Sequence, residues 1–375
     1  MNTGGSRDFG GMKKYLPVYT FLHFLVDLAC VFYMTAIVAA GAAGVQDYIG
    51  KAIVYNFLAF ALPMFLGILA DVFRKDEYTA ALGTLLVAAA FITGSRSWAG
   101  IALVGVGNGL FHIGAGRQIL VLDRKHFAPS GIFIASGAIG VFIGKTLGRS
   151  FAQSIYYIIF AVLAAGAVAA VALGVLRSGK TFGEAKVCAV DSKRNFSAAP
   201  LLAVILIFFV VIIRSYYGFL TKYTWKSGFA MGLIFTACVA AGKLGGGIIA
   251  DRLGLKLTTI LSLAGAGILE IFAPESAVCG CISILLFNMT MPLTLKLLSD
   301  ILQDAPGFAF GTLMMALFLG TLPNMAWGIS WLGSPVGMLA LCAISIIMLV
   351  GACIIFEKAG IDGKHEKQRE NGGQY

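Results

Sequence analysis

The sequence predicts an all-α integral membrane protein of twelve transmembrane helices in two related halves. Three observations carry this. Apolar runs of 17 to 27 residues follow one another along 375 residues. Hydrophobic residues make up 59% of the chain and charged residues 12%, against about 25% charged in ordinary soluble domains. A five-residue string near the end of the second run returns 180 positions later, near the end of the eighth, with one change, Leu69 to Ile249.

Each run is long enough to cross a hydrocarbon core of about 30 Å at about 1.5 Å per residue. The first, 15–41, follows the polar start MNTGGSRDFGGMKK. It is too long for a leader's apolar core and has no small-residue cleavage site, so a spanning helix is expected. Runs at 47–73 and 78–94 follow, the latter ending in a turn at Gly94–Ser97. The next are 98–122, 130–148 (after a turn at Ala128–Ser130) and 154–176. A polar stretch, Arg177–Ser197, then interrupts the pattern. Beyond it lie 198–220, 227–253, 257–273, 276–302, 306–328 and 334–356, with Pro306 and the Gly333/Pro335 pair at helix starts. The expected organisation is an N-terminal bundle over 1–176, a linker over 177–197, a C-terminal bundle over 198–357 and a charged, disordered tail over 358–375.

Basic residues set the orientation. Lys13, Lys14, Arg74, Lys75, Arg124, Lys125, Arg177, Lys193, Arg194 and Arg252 fall on the side of the N-terminus. The other side holds Lys51, Arg96, Arg149, Lys222 and Lys226. Both termini are therefore expected in the cytoplasm, with the protein in the cell membrane. The net charge of +10 reflects this topology and a set of intramembrane cations, with no nucleic-acid partner expected. The seven cysteines (Cys30, Cys188, Cys238, Cys279, Cys281, Cys342 and Cys353) show neither disulfide nor zinc spacing. No metal or cofactor is expected.

The repeated strings are Gly67-Ile-Leu-Ala-Asp71, followed by Arg74-Lys75, and Gly247-Ile-Ile-Ala-Asp251, followed by Arg252 and Lys256. The same offset carries Asn108 onto Asn288 and Gly140 onto Gly320. Paired halves are common in secondary transporters, with the substrate between them. GILADVFRK and GIIADRLGLK resemble the loop signature of the major facilitator superfamily, with Phe73 in place of the first copy's second glycine. H-F-L-V-D in the first span, G-N-G-L-F-H in the fourth and R-S-Y-Y-G-F in the seventh are similar to its fosmidomycin-resistance branch. Ile113 and Lys145 stand where that branch has proline. The resemblance implies two six-helix bundles around a central cavity lined by the first, fourth, seventh and tenth helices, working by alternating access. Gly67, Asp71, Arg74, Gly247, Asp251 and Arg252 are the gating candidates. A glycine allows close helix approach, and an aspartate can latch onto a neighbouring helix N-terminus or onto the basic residues.

Ionisable groups inside the membrane are functional candidates by default. His23 and Asp27 share one face of the first span at i, i+4, near mid-bilayer, and are the candidates for proton coupling. Asn108 and His112 share a face of the fourth. Arg214 in the seventh cannot shed its charge and needs Asp27, another acceptor or a substrate anion; competition of Asp27 with a substrate anion for it would couple proton to solute. Asn108, His112, Arg117, Arg214 and Asn288 are the substrate-binding candidates. Pro292 is expected to kink the tenth helix, Lys145 and Lys243 to pair across the gate, and Lys296 to snorkel. Glu270 is expected to be peripheral. Tyr216, Tyr217 and Trp327 are expected to pack in the core or to line the cavity.

Cations outnumber acids in this deep set, which favours an anionic or zwitterionic small-molecule substrate. Gly140-V-F-I-Gly144-Lys145-Thr146 has three residues between its glycines where a phosphate loop has four, and it lacks a preceding strand. The sequons at Asn195 and Asn288 fall in the cytoplasm and the membrane. No enzyme motif is present. The expected function is proton-coupled export of a small organic anion or drug-like compound by a monomer in the bilayer. Import of a metabolite such as a carboxylate would use the same machinery, and a non-transporting receptor or assembly factor is the reading from another class.

Overall fold

A computed structural model describes residues 5–93, 98–150, 153–178, 198–220, 223–326 and 331–359. Most of the 177–197 linker, the tail beyond 359, Arg96, Cys188, Lys193, Arg194, Asn195, Lys222 and Trp327 lie outside them. Among the described residues the chain is helical, without a strand. We label the helices of the first half α1 (Lys14–Gly41), α2 (Val45–Phe73), α3 (Asp76–Ala90), α4 (Trp98–Leu122), α5 (Ala128–Arg149) and α6 (Gln153–Ser178). Those of the second are α7 (Ala198–Leu220), α8 (Gly228–Leu253), α9 (Leu255–Glu270), α10 (Ala277–Ile301), α11 (Pro306–Ala326) and α12 (Pro335–Lys358).

Ten of these are long and apolar enough to cross a membrane. The other two, α3 and α9, have 15 and 16 residues, or about 23 Å of helix. Both stop short of the expected 78–94 and 257–273. Their chains continue as hydrogen-bonded turns, from Ala88 to Thr93 and from Ile268 to Ser276. They hold the same place, third, in their respective halves.

Local irregularities follow from sequence. Pro63 has no N–H to donate, and the turn just before it widens into a π-helical stretch, Phe57–Ala61. A second π-helical stretch, Tyr33–Val38, interrupts α1. In α10, Pro292 cannot donate to the Asn288 carbonyl. The helix accordingly breaks at Met289, between Ala277–Asn288 and Thr290–Ile301.

Packing repeats between the halves. In the first, α1 packs on α4, α5 and α6, α3 on α4 and α6, and α2 on α4. In the second, α7 packs on α10, α11 and α12, α9 on α10 and α12, and α8 on α10, which is the same pattern six helices on. The halves meet through two seams, α2 against α11 and α5 against α8. Glycine sets the closeness of the first. A methyl group on Gly67 would overlap the Gly307 carbonyl and stand 2.9 Å from the Phe308 nitrogen.

Candidate functional site

His23, Asp27 and His112 come together at the core of the first half. The i, i+4 spacing on α1 puts His23 Nε2 3.3 Å from Asp27 Oδ2. From α4, His112 Nε2 reaches within 3.0 Å of His23 Nε2 and 3.6 Å of Asp27 Oδ1. Both rings are buried, while Asp27 keeps 15% of its side chain accessible. The rings are held from behind: His23 Nδ1 lies 2.7 Å from the Phe133 carbonyl on α5, and His112 Nδ1 lies 2.9 Å from the Asn108 carbonyl. The His23 ring also stacks on Phe133, with centroids 4.5 Å apart. Gly137 on α5 makes room for the cluster. A methyl group there would run into Asp27 Oδ2 and stand 2.6 Å from His23 Nε2. Asn108 donates from Nδ2 to the Tyr55 hydroxyl at 2.8 Å, and its Oδ1 is buried with no hydrogen-bond partner.

Of the partners open to it, Arg214 has acceptors other than Asp27. It is buried on α7 and donates to two neutral oxygens of α10, Thr290 Oγ1 and Asn288 Oδ1, both at 3.3 Å. Among the described residues, no carboxylate lies within ion-pair distance of it. Both acceptors flank the break at Met289, and each also donates to a carbonyl of its own helix, Asn288 to Ile284 and Thr290 to Phe287. Lys243 on α8 donates to the Ile134 carbonyl at 3.5 Å and lies close enough to interact electrostatically with both Asp27 and Arg214. Lys145 is exposed on α5 and lies near Lys226, a second cation. Lys243 thus reaches across the seam to a carbonyl of α5, whereas Lys145 lies beside a like charge. Burial, with Lys145 as a lesser cause, holds the Lys226 ammonium below the usual lysine range, and it sits 3.4 Å from the centroid of the Phe235 ring.

The gating candidates form two latches across the seams. Asp71 accepts from the Gly307 and Phe308 amides, at 2.9 and 2.8 Å, at the N-terminus of α11. Asp251 accepts from Phe127 and Ala128, at 2.6 and 3.0 Å, at the N-terminus of α5. These first-turn amides have no intrahelical acceptor, and the helix dipole favours an anion beside them. Arg74, in a left-handed conformation (φ 53°), ends α2 and donates from Nε to its own latch, at the Asp71 carbonyl. Arg252 is exposed. Arg117 belongs to the first latch and not to the site around Asp27: its Nε donates to Asp71 Oδ1 at 2.8 Å and its Nη1 to Asp76 Oδ2 at 2.6 Å.

Two buried acids escaped the sequence reading and a third, Glu270, was placed wrongly. Asp76 and Glu77 open α3, and Glu77 accepts from the Tyr15 hydroxyl at 2.9 Å. Their place directly after Arg74-Lys75 makes them look like a solvated loop. Glu270 is not peripheral. It is buried and accepts from Tyr217, Tyr223 and Ser283 at 2.9, 2.6 and 2.8 Å. Tyr217 in turn stacks on Phe287, with centroids 3.8 Å apart. Lys296 pairs with Asp300 on its own helix and does not snorkel.

No protein-family model matches the sequence, and no curated protein matches it. Solved structures do match its shape. A major facilitator superfamily transporter, FucP, in the outward conformation is 16% identical, with a TM-score of 0.63 over 92% of this chain and 99% of that one. A second structure of the E. coli fucose:proton symporter FucP gives 0.62 over 92% and 98%. A bacterial homologue of the iron transporter ferroportin, outward-facing, is 16% identical with a TM-score of 0.57 over 92% and 98%. At this identity the likeness is one of fold. The chain has the major facilitator fold, and nothing matched supports the fosmidomycin-resistance branch in particular.

Proposed function

We propose that this chain is a secondary transporter working by alternating access, exporting a small organic anion or drug-like compound in exchange for protons. One observation carries the anion: Arg214, a buried guanidinium whose partners on α10 are neutral. A buried charge without a counter-charge is strongly unfavourable, and a carboxylate or phosphate entering between α7 and α10 would supply it with a forked acceptor. Asn108 Oδ1 is a further acceptor for a solute hydroxyl or amide. Arg117 no longer supports the charge argument, since Asp71 and Asp76 neutralise it. Arg214 and Lys243 support it still.

His23, Asp27 and His112 are proposed to hold the coupling proton. Two imidazoles and a carboxylate within 3.6 Å of one another can share one proton and pass it on when their surroundings change. The two latches are proposed to seal the cytoplasmic end. Opening it breaks four amide-to-carboxylate hydrogen bonds.

The test is flux in liposomes holding the purified protein. A panel of labelled organic anions and cations is offered under inward and outward proton gradients. Anion export driven by a proton gradient of the opposite direction is expected. Flux indifferent to the gradient removes the proton, movement of anion and proton in the same direction replaces export with symport, and preference for cations overturns the role of Arg214.

A further inference from the structure

The hydrogen bonds around the two central histidines leave an unbalanced arrangement of charge. The Nδ1 atoms of both rings lie on backbone carbonyls, Phe133 at 2.7 Å and Asn108 at 2.9 Å. A carbonyl oxygen only accepts, so both Nδ1 atoms carry the proton. In the neutral rings, both Nε2 atoms are then bare lone pairs. They face each other at 3.0 Å, with the two Asp27 oxygens 3.3 and 3.6 Å away. Three electron-pair donors turned upon one another repel, unless a cation lies among them. A proton is one such cation. A metal ion satisfies all three at once.

We propose that His23, Asp27 and His112 form a binding site for a divalent transition-metal ion of the zinc or ferrous class. The three ligand atoms lie within 4.8 Å of one another. Metal–ligand bonds of about 2.0–2.1 Å at tetrahedral angles place ligand atoms about 3.3 Å apart, and the separations here bracket that value. Two neutral imidazoles and a carboxylate are a donor set these ions favour over the hard, oxygen-seeking magnesium and calcium. The second ring nitrogens, anchored on carbonyls, reproduce the outer-shell arrangement that fixes metal-ligating histidines. Gly137 packs closely against Asp27 and His23, and Asp27 is the accessible member of the three. Water or an acidic group of the solute would supply the fourth ligand of a four-coordinate ion. Lys243 on α8, with Arg214 beyond it, bears on Asp27 from the other half and tempers the affinity for a dication. Sequence spacing concealed the site, because the histidines stand 89 residues apart.

That the ion is transported or drives transport rests on the reading given under Proposed function. That it binds does not. The test is equilibrium titration of the purified full chain, freed of any affinity tag, with Co2+ followed by its visible ligand-field absorption and then by displacement with Zn2+. One Co2+ per chain is expected, with bands of a four-coordinate site. His112→Gln and Asp27→Asn are each expected to weaken binding at least tenfold and to remove the bands, with thermal unfolding checked to confirm folded protein. Lys243→Met, which removes a repelling charge and no ligand, is expected to tighten binding. His126→Gln, at an exposed ring paired with Asp123, is expected to change nothing. Absence of four-coordinate bands, or bands that survive both ligand substitutions, overturns the proposal. Proton-driven flux in chelator-treated buffer separates the two readings. Flux without Co2+ binding leaves the transporter and removes the metal site, whereas Co2+ binding without flux does the reverse.

Discussion

Arg117 Nε lies 2.8 Å from Asp71 Oδ1, on the same carboxylate that accepts from two amides at the start of α11. The arginine thus ties α4 to the end of α2, and the aspartate ties both to the other half. A salt link inside the first half stiffens the acceptor that crosses the seam, because Asp71 cannot rotate away from α11 without also leaving Arg117. The second latch lacks this support: Asp251 meets Phe127 and Ala128 without an arginine among the described residues.

The first latch is therefore expected to dominate closure of this end. Charge-assisted hydrogen bonds contribute about 1.5–3 kcal/mol each, so Asp71→Asn should shift the equilibrium toward the open form more than Asp251→Asn does, and Arg117→Gln should fall between them. Spin labels on Phe73→Cys and Leu253→Cys, both exposed near the latches, report the separation of the halves in a background lacking the seven native cysteines. Equal distance distributions in all three variants would remove the asymmetry argued here.

Arg214→Gln is expected to abolish stabilisation by organic anions in a thermal-shift screen, with affinity lowered at least tenfold, about 1.4 kcal/mol. Arg214→Lys should retain part of it, since it keeps the charge but loses the fork that reaches Thr290 and Asn288 together. An anion response unchanged in Arg214→Gln would place the solute elsewhere.

The membrane explains how much of this was legible beforehand. A spanning backbone must satisfy its hydrogen bonds within its own segment, which forces long apolar helices and makes them readable as runs. Hence α1, α4 and α10 emerge close to their expected bounds, and the kink at Pro292 lies where proline chemistry demands. The i, i+4 pairing of His23 with Asp27 was readable for the same local reason. What was hidden is tertiary. Arg117 and Asp76 are 41 residues apart, Tyr217 and Glu270 53, and no periodicity relates them. Arg214 was rightly singled out as needing an acceptor, but the acceptors it has come from α10 and are neutral.

Gly137→Ala tests whether space at the central cluster matters apart from its charges. The added methyl meets Asp27 and His23, not backbone, so the side chains can yield and the protein should still fold. Coupled flux is expected to fall at least tenfold, while anion binding at Arg214, in the other half, stays within about twofold. Wild-type flux in this variant would show that the spacing of His23, Asp27 and His112 is not critical.

Glu270 gives the last prediction, one of stability. Three hydroxyl groups, from α7, α10 and the segment between α7 and α8, converge on its carboxylate. Glu270→Ala strands buried donors, at a cost of about 1–3 kcal/mol for each group left unsatisfied. Glu270→Gln keeps an acceptor oxygen for at least one of them and should lose about half as much. Tyr217→Phe removes one donor and leaves its stacking on Phe287 in place, so its effect should be the smallest of the three. The order Ala, Gln, Phe in falling severity, read from thermal unfolding in detergent, would identify the carboxylate as the clamp between α7, α9 and α10. If Tyr217→Phe proved as damaging as Glu270→Ala, the hydroxyl of Tyr217 would matter for more than its bond to Glu270.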